Sequence, residues 1–108
     1  MSSDYTVHQV SGLLARGEIQ LIDVREPEEH ATGRIAGTPL IALSELAERA
    51  EAIDRDRPVV FYCRSGSRSA MAAKAFSAAG YDAHNMAGGL LDWHARGLPL
   101  EPADGHVA

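Results

Sequence analysis

Apolar and polar residues follow one another along this chain in blocks that predict strands and helices in turn. Residues 19–24 and 58–62 form compact apolar runs of strand length. The second run shows no period-two alternation, which is typical of a central strand covered on both faces. The segment "DAHNMAGG" predicts one more short strand and a turn. Because strands alternate with helices, the pattern predicts an α/β fold with a mostly parallel sheet.

Helical patterns fill the intervals between these strands. Thr6 and Gln9 have the spacing of a capping box, and Gly17 follows as a stop signal. Pro27 suits a first helical position, with Gly33 after the last. The sequence predicts helices within residues 6–17, 27–33, 43–53, 69–80 and 90–97, the third with Leu43, Leu46, Ala50 and Ile53 on one face.

The length of 108 residues suits one domain, which we place at residues 6–100 between an N-terminal tail (1–5) and a flexible C-terminal tail (101–108). The formal net charge of −5 argues against a nucleic-acid partner. No apolar run approaches the ~18 residues of a membrane helix, and we expect no secretory signal, because the first residues lack a basic segment followed by an apolar one. We therefore expect a cytoplasmic protein without a membrane partner.

Cys63 is the only cysteine, which excludes an internal disulfide, a thiolate zinc cluster within one copy and an internal resolving thiol. The five histidines show no metal-ligand spacing, so we expect solvated or hydrogen-bonded histidines, with no metal and no cofactor. Met71 and Met86 are expected in the core.

The segment "CRSGSRS" follows the second apolar run, where a parallel sheet places its ligand sites. A lone cysteine in a strand is more often packing than chemistry. Here, however, Gly66 permits a tight turn, and small Ser65 and Ser67 leave the loop open. The thiolate form of Cys63 is favoured over the thiol by the backbone N–H groups, the helix N-terminus, Arg64 and Arg68. The loop therefore predicts a reactive Cys63 that holds an anionic sulfur or an oxyanion.

Asp23 and Arg25 end the first apolar run. Their simplest interpretation is a structural pair that ties the strand end to neighbouring loops. Arg25 could also support the cysteine loop from behind through hydrogen bonds.

Three segments in order, "LIDVREPEEHATGRIAGT", "VVFYCRSGSRS" and "NMAGGLLDWHARGLPL", resemble a single-domain rhodanese, a thiosulfate sulfurtransferase. The resemblance covers about residues 6–100. It implies a single rhodanese-like domain whose central, mostly parallel sheet has five strands, with helices on both faces. Arg34-Ile35 and Thr38-Pro39 depart from the common family pattern, in a loop region that bears on the substrate entrance.

The resemblance also implies roles for individual residues. Cys63 would be the nucleophile that carries a persulfide, and residues 64–68 the loop that holds its outer sulfur. Asp23 and Arg25 match a strand-end pair whose role is mostly structural. The family's closing turn and final helix are matched by Gly88, Gly89 and Trp93.

Domains of this fold include phosphatases and arsenate reductases, so the length of the loop matters. Four residues separate Cys63 from Arg68, whereas a phosphatase loop has five between cysteine and arginine, which here would place the arginine at Ser69. The shorter loop favours sulfur transfer. We expect a double displacement in which sulfane sulfur passes from a small anionic donor such as thiosulfate to cyanide, a thiol or a protein acceptor. A sulfur carrier that serves one protein partner and a phosphatase remain the alternatives.

Overall fold

A parallel sheet of four strands forms the centre of the computed structural model, which describes residues 3–108. The strands are β1 (Ser3–Tyr5), β2 (Gln20–Asp23), β3 (Val59–Tyr62) and β4 (Ala83–Met86). Their order across the sheet is β1-β4-β3-β2, and each of the three neighbouring pairs is parallel. The α/β class and the parallel sheet predicted from the sequence are thereby confirmed.

The expectation of five strands was wrong, because the chain beyond the β2 edge pairs at a single residue. Leu40 forms an isolated parallel bridge with Asp23. The Asp23 amide donates to the Pro39 carbonyl, and the Ile41 amide donates to the Asp23 carbonyl. Pro39 has no N–H to donate, and the chain turns into a 3-10 helix from Leu43. The ladder therefore ends before a fifth strand can form.

Within residues 3–108, four α-helices connect or follow the strands: α1 (Val7–Ala15), α2 (Pro27–Thr32), α3 (Ser67–Ala78) and α4 (Gly89–Ala95). The predicted capping box is present, since the Gln9 amide donates to Thr6 Oγ1 and the Thr6 amide donates to Gln9 Oε1. Helix α3 begins two residues before the predicted start, so that its first turn lies directly beside the cysteine loop.

The predicted helix over residues 43–53 was wrong in type. The chain forms two short 3-10 helices instead, Leu43–Glu45 and Ala50–Ala52. Its apolar face was correct, since Leu46 and Ile53 are buried. A three-residue spacing suits a 3-10 helix as well as an α-helix, and the Leu43 amide is tied to the Val24 carbonyl at the sheet edge.

Two apolar layers cover the sheet, so helices on both faces are confirmed. Val59 and Phe61 point toward α3 and the 3-10 segment, whereas Val60 and Tyr62 point toward α1 and α4. Met86 is buried in the second layer as predicted, but Met71 is 63% exposed on α3 and its assignment to the core was wrong. The Trp93 ring is buried in the second layer, and its Nε1 donates to the Pro99 carbonyl.

Residues 3–5 and the C-terminal segment both pack on this domain. Residues 3–5, predicted within a tail, form β1 and pair with β4, and residues 1–2 of that tail lie outside the described residues. In the C-terminal segment 101–108, Glu101 bridges Arg34, the His106 amide donates to the Thr32 carbonyl, and Val107 packs on the second apolar layer. None of the helices in residues 3–108 is long and apolar enough to cross a bilayer.

Candidate active site

Cys63 lies directly after β3, at the carboxyl end of a central strand and before the first turn of α3. The chain reverses between them at Gly66, whose φ of 105° lies in the left-handed region that other residues rarely adopt. This conformation turns the backbone N–H groups that follow toward the end of β3. The predicted strand–loop–helix arrangement is therefore present, with Gly66 as its pivot.

The Cys63 sulfur is a fully buried free thiol with donors around it. The Gly66 amide nitrogen lies 3.1 Å from Sγ and the Ser69 Oγ lies 3.3 Å from it. Cys63 itself has no exposed surface, and Ser69 is also fully buried. A sulfur in this position meets N–H and O–H groups in a setting from which water is largely excluded, where such hydrogen bonds are strong.

Two opposing effects act on the pKa of the Cys63 thiol. Burial on its own raises this pKa, because it disfavours the charged form. The Ser69 hydroxyl and the backbone N–H groups of Ser69, Gly66 and Arg68 lower it, and together they outweigh the burial. The pKa therefore lies below its ordinary value, and the site favours the thiolate.

The first turn of α4 holds the backbone of the cysteine loop through hydrogen bonds. The Leu90 amide donates to the Cys63 carbonyl over 2.9 Å, and the Leu91 amide donates to the Arg64 carbonyl over 3.0 Å. Gly89 approaches so closely that an added Cβ would lie 2.4 Å from the Arg64 carbonyl oxygen. The first turn of α4 thus fixes the loop backbone, which gives the predicted closing glycines a direct structural reason.

The two arginines of the loop make contacts that the sequence did not reveal. Arg68 forms a double hydrogen bond with Glu29 of α2, at 2.7 and 2.9 Å. This pairing lowers the pKa of Glu29 to about 2 and raises the pKa of Arg68. Arg64 is exposed, and its Nε donates to the Ala108 carbonyl. The atoms that contact Sγ are therefore amides and a hydroxyl rather than guanidinium groups.

The end of β2 carries a buried ion pair. Asp23 and Arg25 have no exposed surface, and Arg25 Nη2 lies 2.8 Å from Asp23 Oδ2. Arg25 also donates to the Gly33 carbonyl, and His30 Nδ1 lies 2.8 Å from Asp23 Oδ2. Asp23 raises the pKa of Arg25 even though burial alone would lower it. Arg25 thus bonds to Asp23 and Gly33, whereas the sequence had suggested hydrogen bonds to the cysteine loop.

Sequence reasoning missed three polar residues near this site. Ser69 is the third residue of α3, Glu29 lies in the first turn of α2, and Asn85 of β4 lies 2.6 Å from Ser69 Oγ. Asn85 could have been noticed as a polar residue within an apolar strand. The Glu29 contact has no local signal, because it joins residues 39 positions apart.

These contacts define what the site can do. A sulfur of lowered pKa, surrounded by hydrogen-bond donors, can act as a nucleophile and can hold negative charge on itself or on an attached atom. Within residues 3–108, no three His, Cys, Asp or Glu side chains are grouped so that they could hold a metal ion. The arrangement fits covalent catalysis through Cys63.

Several known proteins are similar to this chain in sequence or in fold. A sulfurtransferase of Allochromatium vinosum is 36% identical over 82% of this chain and 83% of its own. The thiosulfate sulfurtransferase GlpE of Pseudomonas aeruginosa is 34% identical over 79% of this chain and 74% of its own. The crystal structure of a rhodanese-related protein from Thermoplasma volcanium superposes with a TM-score of 0.85 at 30% identity, covering 91% of this chain and 96% of that one.

The names of these relatives support sulfur transfer as the general chemistry. The family model described as the rhodanese-like domain matches residues 6–96. This match spans most of the described fold, including the cysteine loop and the first turn of α4. The chain belongs to the rhodanese-like domain family.

Proposed function

We propose that the protein is a sulfurtransferase that moves sulfane sulfur from thiosulfate, or a similar small anionic donor, to a thiophilic acceptor through a persulfide on Cys63. The observation that carries the proposal is the buried Cys63 sulfur, which accepts from the Gly66 N–H over 3.1 Å and lies 3.3 Å from the Ser69 hydroxyl. A relative named as a thiosulfate sulfurtransferase supports thiosulfate as the donor.

In the first half of the reaction the Cys63 thiolate attacks the outer sulfur of thiosulfate. A bond forms between Sγ and that sulfur, the bond to the sulfonate sulfur breaks, and sulfite leaves with the electron pair. The product is a Cys63 persulfide anion. We assign no general base, because the donors around Sγ lower the pKa of Cys63 and make the thiolate more available.

The loop donors then hold the new anion. The Gly66 amide and the Ser69 hydroxyl lie within 3.1 and 3.3 Å of Sγ, so they can offset negative charge on the disulfur unit. We assign Arg68 to the attraction of the anionic donor, since it lies in the first turn of α3 beside the cysteine loop and is 34% exposed. Arg64 is exposed on the same loop and adds a second positive charge.

In the second half an acceptor removes the outer sulfur. Cyanide would leave as thiocyanate and return Cys63 to the thiolate, and a thiol would leave as its own persulfide. Charge balances in both halves, so the cycle needs no external oxidant or reductant. Asp23 and Arg25 would take no part in the bond changes, and we assign them to holding the end of β2.

The test is the intact mass of the protein after incubation with thiosulfate, together with thiosulfate:cyanide turnover. The wild-type chain should gain one sulfur atom and form thiocyanate, and Cys63→Ala should do neither. Turnover that survives in Cys63→Ala would remove Cys63 from this role. A stable gain of one sulfur with negligible turnover would favour the sulfur carrier, and rapid hydrolysis of an aryl phosphate, lost in Cys63→Ser, would favour a phosphatase.

A further inference from the structure

Asn85 is a buried polar residue on the sheet face that carries the cysteine. It pairs with Phe61 in the register between β3 and β4, and only 5% of its surface is exposed. Ala83, two residues earlier, belongs to the apolar layer beneath α3, so Asn85 points toward the same helix. An amide buried there is costly unless it is hydrogen-bonded. Its partner is Ser69, with 2.6 Å between Asn85 Oδ1 and Ser69 Oγ.

The Ser69 hydroxyl faces two acceptors and has one proton. Its Oγ lies 2.6 Å from Asn85 Oδ1 and 3.3 Å from Cys63 Sγ. If the proton goes to the Asn85 oxygen, the hydroxyl cannot donate to the sulfur. If the amide instead presents its NH2 group, Asn85 donates to Ser69 Oγ and the hydroxyl proton is free for Sγ. The orientation of one amide therefore decides whether the sulfur receives this hydrogen bond.

Nothing else fixes that orientation in the part of the chain that the structure describes. Within residues 3–108, Ser69 is the only hydrogen-bond partner of the Asn85 side chain. The two ends of an amide have nearly the same shape, so Asn85 can turn within its site without a change in packing. The charge on Cys63 then selects the orientation, since an anionic sulfur binds the hydroxyl proton more strongly than a neutral carbonyl oxygen does.

We propose that Asn85 is a positioning residue that directs the Ser69 hydroxyl toward Cys63 when the sulfur is anionic. In that state Asn85 Nδ2 donates to Ser69 Oγ, and Ser69 Oγ donates to Sγ. Asn85 does not touch the sulfur and acts only through Ser69. The inference rests on the proposed function in one respect, namely that Cys63 works as an anion.

The composition of the chain offers a direct test in the wild-type protein. Asn85 is the only asparagine among the 108 residues, so labelling asparagine with nitrogen-15 gives one side-chain NH2 signal pair in the NMR spectrum. We expect this pair to shift with pH at the same midpoint as the ultraviolet absorbance of the Cys63 thiolate. The shift should be absent in Cys63→Ala. An NH2 signal pair that does not respond to the ionisation of Cys63 would overturn the proposal.

Substitution provides a second test through the thiolate absorbance, with Cys63→Ala as the blank. Ser69→Ala should raise the midpoint by about 1–2 pH units, because a hydrogen bond to a charged group is lost. Asn85→Leu, which is similar in size and cannot hydrogen-bond, removes the N–H that strengthens the Ser69 hydroxyl as a donor, so it should raise the midpoint by a smaller amount, up to about half a unit. A fall in the midpoint would show that Asn85 only competes with the sulfur for the hydroxyl proton, and it would overturn the proposal. Added to Ser69→Ala, Asn85→Leu should have no further effect. An equal effect of Asn85→Leu in both backgrounds, or none in either, would contradict the proposal.

Ser77→Ala is the matched control. Ser77 also joins α3 to β4, because its hydroxyl donates to the Ala83 carbonyl over 3.2 Å, eight residues along the helix from Ser69. Its removal should leave the midpoint unchanged. A shift as large as that of Asn85→Leu would mean that general loosening between α3 and β4 explains both, which would defeat the proposal. All these titrations use the resting protein without a sulfur donor, so they remain readable if sulfur transfer itself is not observed.

Discussion

The carboxyl ends of β2 and β3 lie side by side in the sheet, yet the surroundings of their buried polar groups differ. At the end of β2, Asp23 and Arg25 neutralise each other without contact with solvent. At the end of β3, the hydrogen-bond partners of the Cys63 sulfur within residues 3–108 are a backbone N–H and a hydroxyl, both neutral. The Asp23–Arg25 pair thus holds two opposite charges that neutralise each other, whereas the Cys63 sulfur lies beside neutral hydrogen-bond donors that can stabilise an anion.

The comparison also separates two kinds of arginine. Arg25 is fully buried and bonded to Asp23 at the end of its own strand, and Arg68, in the first turn of α3, is partly exposed and bonded to Glu29. Residue type alone does not distinguish them. Their difference comes from which carboxylate the fold places within reach, and of the two only Arg68 is left partly open to solvent.

The largest effect should come from breaking the β2 pair. Asp23→Ala leaves the buried Arg25 charge without its partner, which we expect to lower the free energy of unfolding by about 3–5 kcal/mol in urea denaturation. The double substitution Asp23→Leu/Arg25→Met should recover much of that loss, since it removes both charges. Asp82→Ala, whose carboxylate is 62% exposed, is the control and should change stability by less than about 0.5 kcal/mol. A small loss in Asp23→Ala would show that the pair is not a structural element.

The next effect should come from the turn beneath the cysteine loop. In Gly89→Ala the new Cβ would meet the Arg64 carbonyl at 2.4 Å, and the residue has a φ of 62°. We expect a loss of about 2–3 kcal/mol in stability and a clear loss of sulfur loading, measured by intact mass. Gly17→Ala has a similar φ of 68° with nothing near the added carbon, so it should cost about 1 kcal/mol and leave loading intact. Equal loading in both variants would mean that Gly89 does not hold the loop.

The smallest effect concerns pH. The pKa of Glu29 falls from an ordinary 4.5 to about 2 in the folded protein. A lowered pKa means stabilisation that is complete above about pH 4.5 and is lost as the pH falls toward 2. Because Arg68 is 34% exposed, solvent screens the pair, and we expect a contribution of about 1 kcal/mol. Glu29→Gln should flatten the pH dependence of stability in this window. An unchanged dependence would assign acid unfolding to other carboxylates.

The sequence predicted local features better than distant contacts. Three predicted features depend only on neighbouring residues, and the structure contains them: the Thr6–Gln9 capping box, the buried β3 strand and the position of Cys63 before a helix. The pairs Arg68–Glu29 and Ser69–Asn85 join residues 39 and 16 positions apart, so only the folded chain brings them together. The loop could be predicted from its own residues, but the partners of the loop could not.

Two errors have a similar origin. Residues 43–53 carry an apolar face that both an α-helix and a 3-10 helix can display, and hydrogen bonds to the sheet edge decide between them. Met71 was assigned to the core from its residue type, whereas the helix face on which it lies depends on where α3 meets the sheet. In both cases tertiary packing settled what the local pattern left open.

The complete burial of Cys63 bears on how an acceptor would distinguish the loaded protein from the resting one. In the proposed persulfide, the outer sulfur would stand about 2 Å beyond Sγ, the length of one sulfur–sulfur bond. The acceptor would then attack the outer sulfur and not the buried Sγ of Cys63. The loaded protein would thus offer an acceptor thiol a sulfur atom that the resting protein lacks.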